Sequence, residues 1–182
     1  PQRPNILVII TDQQSATMLS CAGNRYLKTP AIDSLAGRGV RFERAYATNP
    51  VCLPSRFSML TGRMPSCVGI RENSDGRRGV PEAFVQGGIG HLFRHGGYTT
   101  AYGGKVHLPK ALAPANCGFN YICRDERGAL ADACAEFIKK PHEKPFFLVA
   151  SFINPHDICY MAINDHARSR GGAKRSNIAA KT

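Results

Sequence analysis

The group in this sequence best suited to covalent chemistry is a cysteine in the run Cys52-Leu53-Pro54-Ser55-Arg56. Pro54 and Ser55 are residue types that open a helix, and Phe57, Met59 and Leu60 carry it forward to Gly62. Cys52 is therefore expected just before a helix N-terminus, where the dipole and the Arg56 charge both favour a thiolate. A thiol nucleophile is the first reading. A phosphate-cradling cysteine loop fails on spacing, because Ser58 stands where its arginine is needed.

Three further clusters can take part in proton, anion or metal chemistry, and each follows an apolar run. Asp12 and Gln13 come after Asn5–Thr11 (NILVIIT), Lys105 and His107 after Tyr98–Gly103 (YTTAYG), and His156 after Phe146–Ile153 (FFLVASFI). The first and last runs are continuous and aliphatic or aromatic, the pattern of strands buried on both faces of a parallel sheet. Open α/β sheets place ligands at the carboxyl ends of their strands, where all three clusters would lie.

Helices are expected between these strands. Thr29 and Pro30 suit an N-cap and first helical position, Ile32, Leu35 and Ala36 share a face, and Gly37 or Gly39 ends the segment. Val40–Ala47 reads as a short strand, and Gly88–His95 as a short helix broken by Gly96-Gly97. Leu130, Cys134, Phe137 and Ile138 recur at helical spacing, with Lys139 and Lys140 in the last turn. The two histidines of the Gly88–His95 helix, His91 and His95, are one turn apart but have no third ligand, so they read as surface.

Composition narrows the function classes. The chain has 182 residues and a hydrophobic fraction of 43%, which suits a packed domain. It has no apolar run long enough to span a membrane. The net charge of +11 is dispersed from Arg38 to Arg78 among glycines and apolar residues, which argues against a specific nucleic-acid surface. Seven cysteines include no C-x-x-C pair, which excludes a zinc ribbon or a thioredoxin motif. Cys21, Cys67, Cys117, Cys123, Cys134 and Cys159 read as spectator thiols.

Five blocks in order resemble the sulfatase family. They are Pro4-Asn5-Ile6-Leu7 leading to Asp12; Thr29-Pro30-x-Ile32-Asp33-x-Leu35-Ala36 with Gly39-Val40-x-Phe42; Cys52-x-Pro54-Ser55-Arg56 with Leu60-Thr61-Gly62-Arg63; Gly97-Tyr98-Thr99-Thr100 through Gly104-Lys105-x-His107-Leu108; and Pro145-Phe146-Phe147-Leu148 through Pro155-His156. The resemblance covers residues 4 to 160. It implies an alkaline-phosphatase-like α/β sandwich, with a mostly parallel central sheet flanked by helices. It also implies a sulfuric ester hydrolase whose cysteine is oxidised after translation to formylglycine. One hydroxyl of the hydrated aldehyde attacks sulfur, and the other later expels sulfate.

Carried onto this chain, the resemblance makes Cys52 the nucleophile precursor. Arg56 stabilises the diol, Lys105 contacts the sulfate or the formylglycine, and His107 takes a proton from the diol. His156 binds the sulfate or helps protonate the leaving oxygen. Asp12, Gln13 and the modified Cys52 hold a divalent metal, calcium by family habit. Most family members carry two acids where this chain has Asp12-Gln13. That departure resembles choline-sulfatase, sulfamidase and phosphonate-monoesterase branches, and it admits manganese. The implied partners are a sulfate-ester substrate and a formylglycine-generating or anaerobic sulfatase-maturing enzyme. Two other readings stand beside this one: a phosphonate or phosphate ester hydrolase of the same fold, and a non-catalytic basic module that binds polyanions.

The expected domain is residues 1–163, the N-terminal part of a truncated catalytic domain, with little or no activity as an isolated chain. Residues 164–182 read as a basic, non-native or disordered tail. Asn164-Asp165-His166 is not taken as the family's later metal pair, since it follows His156 too closely. Localisation is periplasmic or secreted if a signal peptide preceded Pro1, and cytoplasmic otherwise.

Overall fold

The computed structural model describes residues 3–159. Its centre is a four-stranded sheet in which every pair of neighbours is parallel, in the order β1-β4-β2-β3. The strands are β1 (Ile6–Asp12), β2 (Thr99–Gly104), β3 (Asn120–Cys123) and β4 (Phe146–Pro155). The helices are α1 (Pro30–Arg38), α2 (Cys52–Thr61), α3 (Glu82–Gln86), α4 (Ile89–His95) and α5 (Gly128–Lys139).

Alternation along β4 builds two cores. Phe147 and Val149 face one side, where they join Tyr102, Phe119 and the α2 residues Leu53, Phe57 and Leu60. Phe93 of α4 stacks on Phe147 at 4.0 Å between ring centroids. Leu148 and Ala150 face the other side, against Leu130 and Cys134 of α5. Each large apolar side chain fully buried here stabilises the fold by about 1.5–3 kcal/mol before entropy is counted. Both expected apolar strands, the Gly88–His95 helix and the helix carrying Leu130 and Cys134 are present at or within a few residues of their sequence positions. The short β3 and α3 have no counterpart in the sequence reading.

Two local expectations fail, for physical reasons. β1 is not buried on both faces. Its Leu7 and Ile9 register with Leu148 and Ala150 of β4, and so lie on the face that α5 covers farther along the sheet. Leu7 and Ile9 are not part of the core that α5 forms on that face, and both side chains are exposed. The segment Val40–Ala47 is not a strand. It pairs with none of the described strands, and its apolar Val40, Phe42 and Tyr46 are exposed. The tail at 164–182 and the 164–166 triplet lie outside the described residues. No helix among the described residues is long and apolar enough to cross a membrane.

Candidate active site

The carboxyl ends of β1, β2 and β4 gather the chemistry. Asp12 is the last residue of β1, where the register with β4 shifts between Ile10 and Asp12. The Asp12 carbonyl then accepts the His156 backbone N–H at 3.1 Å, which ties the start of the turn after β4 to the end of β1. That turn is clamped from α5's approach. Arg127 donates to Asp157 at 2.8 Å, Asn154 donates to the same carboxylate, and the Ile153 N–H reaches the Glu126 carbonyl.

Lys105 follows β2 directly. Gly104 has φ of 86°, and a Cβ there would collide with the Ser151 carbonyl oxygen. Only glycine lets the chain turn against β4 at this point. The Lys105 N–H then donates to Ser151 O at 2.7 Å, and the Tyr102 hydroxyl donates to the Lys105 carbonyl at 2.7 Å. Backbone and side chain together fix where the ammonium can reach.

Cys52 lies within the first turn of α2, whose N-cap is Val51, one step deeper than its expected place ahead of the helix. The Leu53 N–H at that helix end is taken by Asn73 Oδ1 at 3.0 Å. The thiol donates to Asp12 Oδ1 at 3.4 Å. The other carboxylate oxygen, Oδ2, receives Arg56 at 2.7 Å and Lys105 Nζ at 3.0 Å. Arg56 spends its remaining terminal nitrogen on the Lys105 carbonyl at 2.9 Å and on Ser151 Oγ at 2.7 Å. One buried carboxylate thus has divided duties: two cations on one oxygen and a thiol on the other.

The electrostatics follow from this arrangement. Burial pushes the Asp12 carboxyl up, but hydrogen bonds from Arg56 and Lys105 and their charges outweigh it, leaving Asp12 below the ordinary carboxylate range. The Cys52 thiol moves the other way. Burial raises it first and the Asp12 charge adds to that, with only partial relief from Lys105 and Arg56. This overturns the expectation of a thiolate activated by the helix end and Arg56. The arginine faces Asp12, and the thiol faces a carboxylate. Burial, with Lys105 and Arg56 next, lowers His107, so its ring is neutral near pH 7.

A cleft of about 570 Å³ opens above these groups, with Asp12, Gln13, Cys52, Arg56 and His156 in its wall. Lys105 enters the site through its ion pair with Asp12. His107 is not in the cleft wall. Its Nδ1 is buried with no hydrogen-bond partner among the described residues. Gln13, with φ of 60°, and His107, with φ of 43°, are the two non-glycine residues in left-handed conformation among the described residues. Such strain costs on the order of 1–3 kcal/mol per residue and clusters at functional sites.

Asp12, Cys52 and His156 each bring one ligand atom to within 4.8 Å of the others. The donor set suits a divalent cation. It is a mixed oxygen, sulfur and nitrogen set rather than the ring of six or more oxygens that calcium takes. Ser151, Tyr102 and Asn73 are site residues that sequence reading missed. Their roles arise from contacts between segments far apart in the chain, and no local pattern marks them.

Comparison with known proteins fits this arrangement. The sulfatase family model matches residues 4–177. A Delta 4,5-hexuronate-2-O-sulfatase of Bacteroides thetaiotaomicron is 30% identical over 173 residues, 87% of this chain and 35% of its own length. An ulvan-active sulfatase of Formosa agariphila is 40% identical over 108 residues, 59% of this chain and 20% of its own. Among solved structures, a 2-O GAG sulfatase superposes with a TM-score of 0.74 at 29% identity, over 90% of this chain and 38% of that one. The chain therefore spans about a fifth to a third of the length of these curated relatives.

Proposed function

The chain belongs to the sulfatase family, and from that premise we propose that it carries the nucleophile side of a site that hydrolyses sulfate monoesters of alcohols. Its sheet and helices form part of an alkaline-phosphatase-like sandwich. The observation that carries the reading is the joint placement of Cys52, Asp12, Arg56 and Lys105 at the sheet's carboxyl edge, with Cys52 and Asp12 in the wall of one cleft. The raised thiol supports a modified residue as the nucleophile, because a protonated thiol next to a carboxylate attacks poorly.

Oxidation of Cys52 to formylglycine would supply, as its hydrate, an oxygen nucleophile and a second hydroxyl. A divalent cation on Asp12, with Gln13 and residue 52 beside it, would supply Lewis-acid stabilisation of the sulfate oxygens. Calcium or manganese is proposed for that role, the latter because Gln13 brings no charge. Arg56 and Lys105 hold Asp12 ionised and fix its direction, and their two charges favour an anionic group at the cleft floor. His107 is neutral and its Nδ1 is unengaged among the described residues. Its role as acceptor of a proton from a hydroxyl at position 52 is carried by the family resemblance, not by a contact with residue 52. His156 lies in the cleft wall, which supports the role the resemblance gives it, holding sulfate or handing a proton to the departing alcohol oxygen. Maturation would need a formylglycine-generating or anaerobic sulfatase-maturing enzyme. The relatives named above act on ulvan and on a hexuronate by name, so sulfated sugars stand first in a substrate panel.

The test is co-expression with a formylglycine-generating enzyme, followed by mass spectrometry of the Cys52 peptide and assay with nitrophenyl sulfate, phosphate and phosphonate esters. Conversion of the thiol to an aldehyde is the expected result, with any hydrolysis by this part-length chain weak, favouring sulfate and absent in Cys52→Ala. An unconverted thiol without sulfate release overturns the reading. A phosphonate preference transfers it to the neighbouring chemistry.

A further inference from the structure

We propose that, while residue 52 is still a thiol, Asp12, Cys52 and His156 form a binding site for a thiophilic divalent cation of the zinc type, distinct in kind from an all-oxygen calcium site. The three ligand atoms lie within 4.8 Å of one another. They come from three separate elements, the end of β1, the first turn of α2 and the turn after β4, each held by its own backbone bonds. The mutual placement is therefore built by the fold and does not depend on flexible side chains meeting by chance.

The Cys52–Asp12 pair fits such an ion closely, and His156 lies within 4.8 Å of both. Zinc–sulfur and zinc–oxygen bonds of about 2.3 and 2.1 Å at a tetrahedral angle put sulfur and oxygen about 3.6 Å apart. Cys52 Sγ and Asp12 Oδ1 are already 3.4 Å apart, joined by the thiol proton. An ion in place of that proton needs little movement. The thiol proton leaves to solvent, the sulfur–metal bond forms, and nothing is oxidised or reduced. Asp12 Oδ1 is the oxygen on which neither Arg56 nor Lys105 sits, so coordination there leaves both ion pairs on Oδ2 intact. His156 adds a nitrogen ligand, and water completes four-coordination in the cleft.

The sulfur of residue 52 favours a soft ion over a hard one while it is still a thiol. Arg56 and Lys105 together more than cancel the Asp12 charge. A cation that binds mainly by attraction to carboxylates gains little there. A cation that binds a thiolate brings its own compensating anion and gains from sulfur's softness. Metal loading and modification of Cys52 then exclude each other, since a metal-bound thiolate is closed to alkylation or oxidation.

The probe is cobalt(II), a spectroscopic stand-in for zinc, added to the reduced chain. One equivalent should give a sulfur-to-cobalt charge-transfer band that zinc removes and a large excess of calcium does not. Cys52→Ser should abolish the band, His156→Ala should weaken binding by at least about tenfold, and Cys67→Ser, an exposed thiol, should leave it unchanged. Zinc should also shield Cys52 from iodoacetamide in a peptide map. X-ray absorption of the zinc-loaded, unmutated chain should find one sulfur at about 2.3 Å, which keeps the test independent of how the variants fold. A band that survives Cys52→Ser but is lost in Cys159→Ser, no sulfur in the metal's shell, or unprotected Cys52 would each overturn the proposal. The readouts concern the thiol form, so they stand apart from whether the chain hydrolyses sulfate esters.

Discussion

Two regions of this molecule use the same residue types to opposite effect. Where α2 meets the sheet, Phe57 is 0% exposed, packed with Leu53 and Leu60 against Tyr102, Phe147 and Val149. In the stretch between β1 and α2, Phe42 is 79% exposed, and Val40 and Tyr46 are exposed with it. Arg56 reaches Asp12 at 2.7 Å with both partners about 5% exposed, and Arg41 reaches Glu43 at the same 2.7 Å with both in water. Identical chemistry at identical distance differs in consequence because one pair is embedded in apolar and hydrogen-bonding neighbours and the other is solvated. The site is built in the first kind of surroundings. The second region has no buried residue in α1, and its apolar side chains have no described core to join.

The phenylalanines give the widest expected separation. Phe57→Ala should destabilise the fold by about 3–5 kcal/mol, since it opens a cavity beneath the active-site helix. Phe42→Ala should change stability by no more than about 0.5 kcal/mol. Urea unfolding of the two variants beside the parent reads both. A large loss in Phe42→Ala would show that the 40–46 segment packs in solution, and would dissolve the contrast.

The arginines sharpen it next. Arg56→Leu keeps much of the side-chain volume but strips donors from Asp12, the Lys105 carbonyl and Ser151. The expected cost is about 3 kcal/mol, at the lower end for a broken buried pair because Lys105 still faces Asp12. Arg41→Leu should cost about 0–1 kcal/mol, and less at high salt. Equal losses in the two variants would mean that burial is not what distinguishes them.

How much of this was legible in the sequence follows the same division. Strands β2 and β4 and the helices α2 and α5 could be read because their apolar residues recur at strand or helix spacing and most are in fact buried, whereas α4 was readable although Leu92 is exposed and only Gly90 is fully buried. Asp12, Lys105 and His156 could be placed at strand ends because a buried run has to stop where a polar group begins. Val40–Ala47 misled for the converse reason: a strand-like alternation has no force without a neighbour to pair with. The Asp12–Arg56–Lys105 knot was not legible, because it joins residues 44 and 93 positions apart. The sequence put Arg56 on the side of the thiolate, and the fold spends it on Asp12. The opposite-going shifts of Asp12 and Cys52 follow from that knot and from burial that no local pattern reveals.

A third test uses pH to probe the buried side. His107 titrates below 6.5 because burial and then the Lys105 and Arg56 charges oppose its protonation. Below pH 6.5 the unfolded chain takes up a proton that the folded chain resists. Stability contributed by the neutral ring is therefore present above 6.5 and is lost as pH falls through the folded value, by at most about 1.4 kcal/mol per pH unit. His107→Asn tolerates the left-handed backbone and should remove that slope, seen as a flatter dependence of urea midpoint on pH below 6.5. An unchanged slope would place the acid sensitivity in other groups.

The smallest effect belongs to the exposed region and asks what orders it without a core. Asp33, on α1, accepts the Ser20 hydroxyl at 2.6 Å, the Cys21 N–H at 2.9 Å and the Thr29 hydroxyl at 2.9 Å. Thr29 gives no side-chain cap to the helix. Its hydroxyl joins this ring, and its N–H is taken by Ser20 Oγ. The bond from Ser20, with those from Thr29 and Cys21, more than offsets the small burial penalty and holds the Asp33 carboxyl below its ordinary range. Polar bonds that are open to water add little to global stability, yet they can fix local geometry. Asp33→Ala should therefore leave the urea midpoint almost unmoved while amide exchange at Cys21 and through α1 speeds up. Exchange in β4 should stay as slow as in the parent, because the two regions share no core. If β4 exchange rose with it, the segment before α2 would be part of the same cooperative unit as the site, and the contrast drawn from burial would fail.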